Sequence, residues 1–280
     1  MDVSVAYNQC KGGDFVKQNF LAVRDSTVVK ANDLIQKSRF SLSLQQQKIV
    51  LYLISQIKPY DEEFKVYSFD IKEFCKVCGI DSDGGKTYAE LKEQIKAIRD
   101  KSLWVELEDG QETTLSWIEK PYLDKNSGTI RIRLDNDMKP YLLELKEKFT
   151  RYELIYTLHF KSKYTIRLYE LIKSIHYRDL EQYTRKFELE QLRTLLDAEK
   201  YTRYQHFKER VLEPATAEIN EFSDINLSYT PIKEGRRVSA IEFTVETKEV
   251  IERIKIRCMI NSEMGVDPDQ MSIFDDLQEL

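Results

Sequence analysis

"GIDSDGGKTYAELK", residues 79–92, poses the choice on which the fold turns. Gly79, Gly85, Lys86 and Thr87 nearly spell a phosphate-binding loop, which would belong to a nucleotide hydrolase built on a parallel sheet. That loop needs four residues between its first glycine and the Gly-Lys-Ser/Thr, so that successive N–H groups converge on the phosphates. Here Ile80 to Gly84 place five there, and Asp81 and Asp83 would hold carboxylates where phosphate must sit. The preceding "IKEFCKVC" (71–78) spaces Ile71, Phe74, Val77 and Cys78 along one side of a helix, not along a buried strand. The stretch therefore reads as a short helix, a turn at Gly84-Gly85, and a longer helix over 86–101.

Outward from that turn the chain repeats one plan twice. In the first unit Ser43 and Gln46 have the spacing of a capping box ahead of an apolar-periodic helix, "LQQQKIVLYLISQI" (44–57), which stops at Pro59. A strand "KVYSF" (65–69) leads to the short helix from Asp70, then to the turn and the long helix. Strands "LWVEL" (103–107) and "ETTLSWIE" (112–119) follow, joined through Asp109-Gly110, a strong hairpin signal. A third strand around "TIRIRL" (129–134) closes the unit.

The second unit has helix "KYTIRLYELIKSIH" (163–176), strand and short helix "RKFELEQLRTLL" (185–196), and long helix "TRYQHFKERVLEPATAEINEF" (202–222). It ends in the hairpin "INLSYTPIKEGRRVSAIEFTV" (225–245). Phe69, Ile71, Phe74 and Val77 match Phe187, Leu189, Leu192 and Leu195, each pair 118 residues apart (71 against 189), and Tyr88 and Tyr204 fall at matching places on the long helices. Helix, strand, helix, helix, hairpin is the order of a winged helix, whose third helix enters the major groove. The expected fold class is α+β: two tandem winged-helix domains related by internal pseudo-duplication. The divisions expected are a flexible N-terminal arm over 1–25, a first domain over 26–147, a second over 148–260, and a disordered acidic tail over 261–280.

Composition agrees with a soluble, helix-rich chain: of 280 residues 32 % are charged and 41 % hydrophobic, with 9 Gly and 6 Pro. No apolar run approaches a membrane span and "MDVSVAYNQCKGG" (1–13) lacks a signal-peptide pattern, so the expected compartment is the cytoplasm. Cys75 and Cys78 form a lone C-x-x-C without a second pair, which reads as core packing and not as a zinc site. The net charge of −5 is unevenly spread. Residues 145–260 carry 22 basic against 19 acidic side chains, while the last 20 carry none against 6, so removing the tail moves the chain from −5 to +1. That balance permits a polyanionic partner.

At "LSLQQQKIVLYLISQI" (42–57), "SKYTIRLYELIK" (162–173), "FELEQLRTLL" (187–196) and "YQHFKERVLEPATAEIN" (204–220) the chain resembles the initiator replication protein family. These are the iteron-binding Rep proteins of theta-replicating plasmids and related phages, and the resemblance spans roughly residues 26–247. It implies sequence-specific binding of directly repeated double-stranded origin DNA, recruitment of host replication proteins such as a helicase or initiator, and autorepression as a homodimer. By the same resemblance Lys161, Ser162, Lys163, Tyr164 and Arg167 lie on the DNA side, where a helix N-terminus itself donates to phosphate.

The residues themselves carry the rest. Arg203, Tyr204, His206, Lys208 and Arg210 occupy the first turns of the second long helix, with Phe207 and Val211 pointing inward. Arginine reads guanine through a fork that fits O6 and N7. Lys200 and the hairpin-tip residues Lys233, Arg236 and Arg237 suit phosphates. In the first unit Lys86, Thr87, Tyr88, Lys92, Lys96 and Arg99 alternate with Glu90, Glu93 and Asp100, so that helix either reads bases weakly or serves a dimer contact.

The tail carries Gln270, Met271, Ser272, Ile273 and Phe274, which resemble the short peptide by which bacterial proteins dock on the replication sliding clamp. His159, His176 and His206 lie too far apart in sequence for the paired histidines of a metal-dependent nicking site, and no nucleophile stands out among 16 tyrosines. The chain reads as a binding protein without catalytic residues, metal or cofactor. Two other readings share the fold or the motif: a winged-helix transcriptional regulator of a mobile element, and an adaptor linking DNA to the clamp.

Overall fold

The computed structural model describes residues 26–58, 60–80, 87–107, 109–145, 148–175 and 182–263. The chain begins with strand β1 (Thr27–Ala31), helix α1 (Asn32–Gln36) and the two-residue strand β2 (Ser38–Arg39). Helix α2 (Leu44–Ile54) is closed by a capping box in which the Gln46 amide donates to Ser43 Oγ and the Ser43 amide donates to Gln46 Oε1 at 3.0 Å. Strand β3 (Tyr67–Asp70) feeds α3 (Ile71–Cys78), whose first amides, Lys72 and Glu73, donate to Asp70 Oδ1. Gly79 stops α3 at φ 68, a left-handed conformation that favours glycine. Cys75 and Cys78 are fully buried core thiols. The long helix α4 (Thr87–Asp100), strands β4 (Ser102–Glu106), β5 (Glu112–Ser116), β6 (Tyr122–Asp124) and β7 (Thr129–Ile132), and the short α5 (Lys139–Leu142) complete this unit. The Gly84-Gly85 turn lies outside the described residues.

The second unit runs β8 (Phe149–Glu153), α6 (Leu154–His159), α7 (Lys163–Lys173), β9 (Gln182–Glu188) and α8 (Leu189–Leu195). Then come α9 (Tyr204–Phe207), α10 (Glu213–Phe222), β10 (Ile225–Glu234), β11 (Arg237–Thr247) and α11 (Val250–Glu263). Ile71, Phe74 and Val77 are buried, as are Leu189, Leu192 and Leu195, so the repeated apolar pattern marks the same core-facing side of α3 and α8. The repeat reaches further than that pattern. Helices α2 and α7 are both capped by a serine, Ser43 and Ser162, and both are buried on almost every side because each faces its own core and the other unit.

Strands β1 and β8, each the first of its unit, pair antiparallel in a ladder symmetric about Val29 and Arg151, from Thr27 opposite Glu153 to Ala31 opposite Phe149. Its two ends match as well: the Asn32 amide donates to Lys148 O and the Leu154 amide to Ser26 O, both at 2.9 Å. Two similar units joined through equivalent strands in this register are related by an approximate two-fold axis.

The structure departs from the sequence plan in two places. The first unit has two hairpins where one was expected. The β4–β5 hairpin packs beside β2, whereas β7, paired with β6, lies against β3 as β11 lies against β9. The second long helix is also interrupted. Between α9 and α10 the residues Lys208–Leu212 widen into a π turn. Pro214 explains it, since proline has no amide for Arg210 O and its ring crowds that carbonyl. Among the described residues no helix is long and apolar enough to cross a membrane.

Lys48 of α2 is 9 % exposed, and burial, opposed by Cys78 and by Glu218 of α10, lowers its ammonium pKa from 10.5 to about 8. The folded value lies below the unfolded one, so the unfolded chain holds more protons between pH 8 and 10.5 and stability rises with pH through that window. Lys48→Met should stabilise the protein by about 1–3 kcal/mol at pH 7, with the gain shrinking as pH rises. Urea melts of both chains at pH 7, 8.5 and 10 check this; a gain independent of pH contradicts the assignment.

Candidate nucleic-acid interface

Helix α8 sets up the long helix that follows it. Arg193 is 4 % exposed, donates through Nη2 to Thr202 O at 3.1 Å, pairs with Glu190, and stacks its guanidinium 5.4 Å from the Phe207 ring centroid. A cation on α8 thus holds the start of α9. The intervening turn passes through Asp197 at φ 53, whose carboxylate accepts from Lys163 and from Ser41 Oγ at 2.9 Å. Phe207 and Val211 face the core at 0 % and 1 % exposure, which turns Arg203, Gln205, His206, Glu209 and Arg210 to solvent. Tyr204 and Lys208 are half-buried, and Lys208 pairs with Glu213 at 3.2 Å. Burial raises the Tyr204 hydroxyl above its ordinary value, so it stays protonated.

Opposite this helix stands the β10–β11 hairpin. Its two-residue turn, Gly235-Arg236, is entered at φ 63, with open space around Gly235, and the register shifts between Ile232 and Lys233. Such a bulge re-aims a strand end. Lys233, Arg236 and Arg237 are all exposed at the tip. Helix and hairpin enclose an open groove of about 1020 Å³, lined among others by Gln205, Lys208, Tyr229, Lys233, Arg236 and Arg237. The fold therefore brings Lys208 of the helix and Lys233, Arg236 and Arg237 of the hairpin tip around one concavity, while Arg203, His206 and Arg210 are exposed but do not line it. Gln205 and Tyr229 were missed from sequence; Tyr229, Pro231 and Lys233 continue along β10 the face that begins with buried Ile225 and Leu227, and that period-two run from core to groove is the signal that could have found Tyr229.

The remaining sequence-predicted residues divide. Lys200 is exposed with its ammonium 5.1 Å from the Tyr201 ring centroid, and Lys161 is exposed beside the N-terminus of α7. Ser162 Oγ accepts from the Tyr164 amide at 3.2 Å as the cap, and Lys163 is held by Asp197. Tyr164 is 7 % exposed and packs against Tyr201, so its ring belongs to the core and not to a DNA surface. Arg167 is likewise interior, at 4 % exposure. Its guanidinium donates to Leu195 O at 3.2 Å and to Ile35 O and Ser38 O at 3.4 Å, and lies 4.3 Å from the Phe40 ring centroid. With those partners it cannot reach a phosphate.

In the first unit Lys92, Lys96 and Arg99 share one exposed side of α4 at i, i+4, i+7, while Tyr88 is half-buried. Thr87 is 8 % exposed and faces inward, not toward a groove. Lys86 lies outside the described residues, as do His176 and Gln270 to Phe274. His159 ends α6 with its ring 4.2 Å from that of Phe222, an aromatic packing contact.

Two winged helices in tandem, the second presenting a cation-rimmed groove between its third helix and its wing, define a double winged-helix protein. The chain belongs to the initiator replication protein family. The family's first winged-helix model (Initiator Replication protein, WH1) matches residues 27–173, and its second (Initiator Rep protein, WH2) residues 188–245. A "Replication initiation protein" of Escherichia coli is 25 % identical over 227 residues, covering 78 % of this chain and 69 % of the relative. The crystal structure of Pi initiator protein in complex with iteron DNA is similar in fold, with a TM-score of 0.65 and 23 % identity, covering 81 % of this chain and 99 % of that one.

Because Arg167 is buried and bonded, Arg167→Ala should lower stability by about 3–5 kcal/mol, the range for breaking a buried ion pair. Lys200→Ala, at an exposed site, should change it by less than about 0.5 kcal/mol. Urea denaturation of the two variants checks the contrast.

Proposed function

We propose that this chain is a replication initiator that binds repeated origin DNA sequence-specifically through its winged-helix recognition helices. The observation that carries the reading is the shared groove: Gln205 and Lys208 of the third helix face Lys233, Arg236 and Arg237 of the wing. A helix in the major groove needs hydrogen-bond donors in its first turns, which Arg203, Gln205, His206 and Arg210 supply. The wing and Lys200 then grip phosphates on either side, and Lys161 with the N-terminus of α7 adds a further backbone contact. Lys92, Lys96 and Arg99 of α4 make a weaker second reading surface, since Glu93 and Asp100 are exposed among them. Family membership supports the replication role, and the fold shared with an initiator that is in complex with iteron DNA supports repeats as the target.

The proposal extends to partners. The peptide Gln270 to Phe274 docks on the host sliding clamp, and the bound initiator recruits further host replication proteins. A second copy of the chain, forming a homodimer, represses its own promoter.

Arg203→Ala should weaken binding to a cognate repeat by about 1–3 kcal/mol and relax base preference. Arg236→Ala and Arg237→Ala should weaken cognate and scrambled DNA alike, each flattening the slope of log affinity against log salt by about one. Fluorescence anisotropy on both DNAs at several salt concentrations separates the two roles, and equal losses for Arg203→Ala on both would reject its part in reading bases.

Deleting residues 270–274 should abolish capture of the purified host clamp while leaving repeat binding unchanged. Undiminished capture ends the clamp proposal.

A further inference from the structure

We infer that Glu170 sets the separation and angle between the two winged helices, and is thereby a positioning residue for recognition of a repeat by both. The inference rests on the DNA-binding reading above. Glu170 sits on α7 at 1 % exposure. Its Oε1 accepts from Lys30 Nζ of β1 and from Tyr152 OH of β8, both at 2.5 Å, and its Oε2 lies 3.5 Å from Arg167 Nη1. Burial would raise this carboxyl, but Lys30 and Arg167 overcome it and hold it ionised. One carboxylate is therefore the only acid that these contacts set against two buried cations.

What those cations touch gives the cluster its reach. Arg167 donates to Ile35 O and Ser38 O in the first unit and to Leu195 O at the end of α8 in the second. Ser38 belongs to β2, which pairs with β4, the strand directly after α4. Leu195 ends α8, whose Arg193 holds the start of α9. Glu170 thus stands between the elements that carry the two recognition helices. Apolar contacts tolerate sliding because they are non-directional, whereas these hydrogen bonds are lost within an ångström or two of displacement. Without the carboxylate, Lys30 and Arg167 would face each other as like charges in a dry interior, and the junction must open to water.

The test uses the full chain with spin labels at Glu93 on α4 and Glu221 on α10, both exposed, and with Cys10 and Cys258 changed to serine. Two variants are compared, Glu170→Gln and the milder Lys30→Met/Glu170→Gln, which removes one cation together with the anion. The parent chain should give one narrow distance peak, and both variants a distribution at least about twofold wider at unchanged helical circular dichroism. On DNA, inserting two base pairs between the half-contacts of a repeat turns them by about 70°. The parent should lose at least about tenfold in affinity and the variants less than about threefold, because only a rigid pair of heads is sensitive to spacing. Narrow peaks and an undiminished spacing penalty in the folded variants overturn the inference and leave Glu170 a core residue. A parent chain that does not distinguish repeats from scrambled DNA would instead refute the DNA reading, while the label distances still decide the role of Glu170.

Discussion

Neither unit pairs its own first strand. Among the described residues the backbone groups of β1 find ladder partners only in β8, and those of β8 only in β1. A buried strand left without partners would leave a row of unsatisfied amides and carbonyls, each costing about 1–3 kcal/mol. That demand fuses two winged helices into one body and puts equivalent strands side by side. Much nearby follows from it: α2 and α7 become central helices buried on almost every side, so a charge they carry is either paired inside, as Glu170 is on α7, or costly, as Lys48 is on α2. Glu170, Lys30 and Arg167 are the consequence.

The surface proposed to meet DNA is assembled by different means. Its cations do not owe their position to an excess of positive charge, since the whole chain is at −5. Lys208 already has Glu213 at 3.2 Å, and Gln205 donates to Glu209 at 2.6 Å. Acids interleaved with donors on the proposed recognition helix reduce attraction to any polyanion, so on that reading affinity would depend on base contacts. On the proposed reading the exposed wing, where Lys233, Arg236 and Arg237 outnumber the tip acid Glu234 that pairs across from Arg237, would supply the non-specific share. A protein that must find a few repeats among very many competing sites needs that ratio more than it needs raw affinity.

Much of the fold was legible because it is written at short range. Ile71, Phe74 and Val77, with Leu189, Leu192 and Leu195 behind them, repeat because each short helix buries one side; the Ser43–Gln46 box and the Asp109-Gly110 turn are local hydrogen-bond chemistry. Strand partners are not local. Nothing in "TIRIRL" says that β7 will lie against β3 some sixty residues earlier, and so the first unit's two hairpins read as one. Arg167 was placed on the DNA side by resemblance alone, without weighing the helix that carries it. A cation near a helix start looks solvated unless the rest of the helix is considered. Tyr164, Ile166, Leu168, Leu171 and Ile172 leave α7 no open side, and Glu170 at i+3 is the matching charge. Arg167 and Glu170, three residues apart in the apolar middle of the helix, are the pair that forms the buried bridge, while Lys163 and Lys173 at its two ends pair elsewhere.

Pro214 shows how a local defect becomes part of a site. An uninterrupted helix from Tyr204 to Phe222 would leave Arg210 O without a donor and in collision with the proline ring. The π turn over Lys208–Leu212 relieves the clash by admitting an extra residue. An α-helix advances 100° per residue, so one inserted residue rotates everything before it relative to everything after it by about that angle. Ala215, Ile219 and Phe222 bury one side of α10, and Phe207 and Val211 must bury the matching side of the turns before it. The extra residue reconciles those two apolar sides across the proline, and with Phe207 and Val211 fixed inward, Arg203, His206 and Arg210 are left exposed to solvent. The wedge that breaks the helix thus also determines which donors it presents.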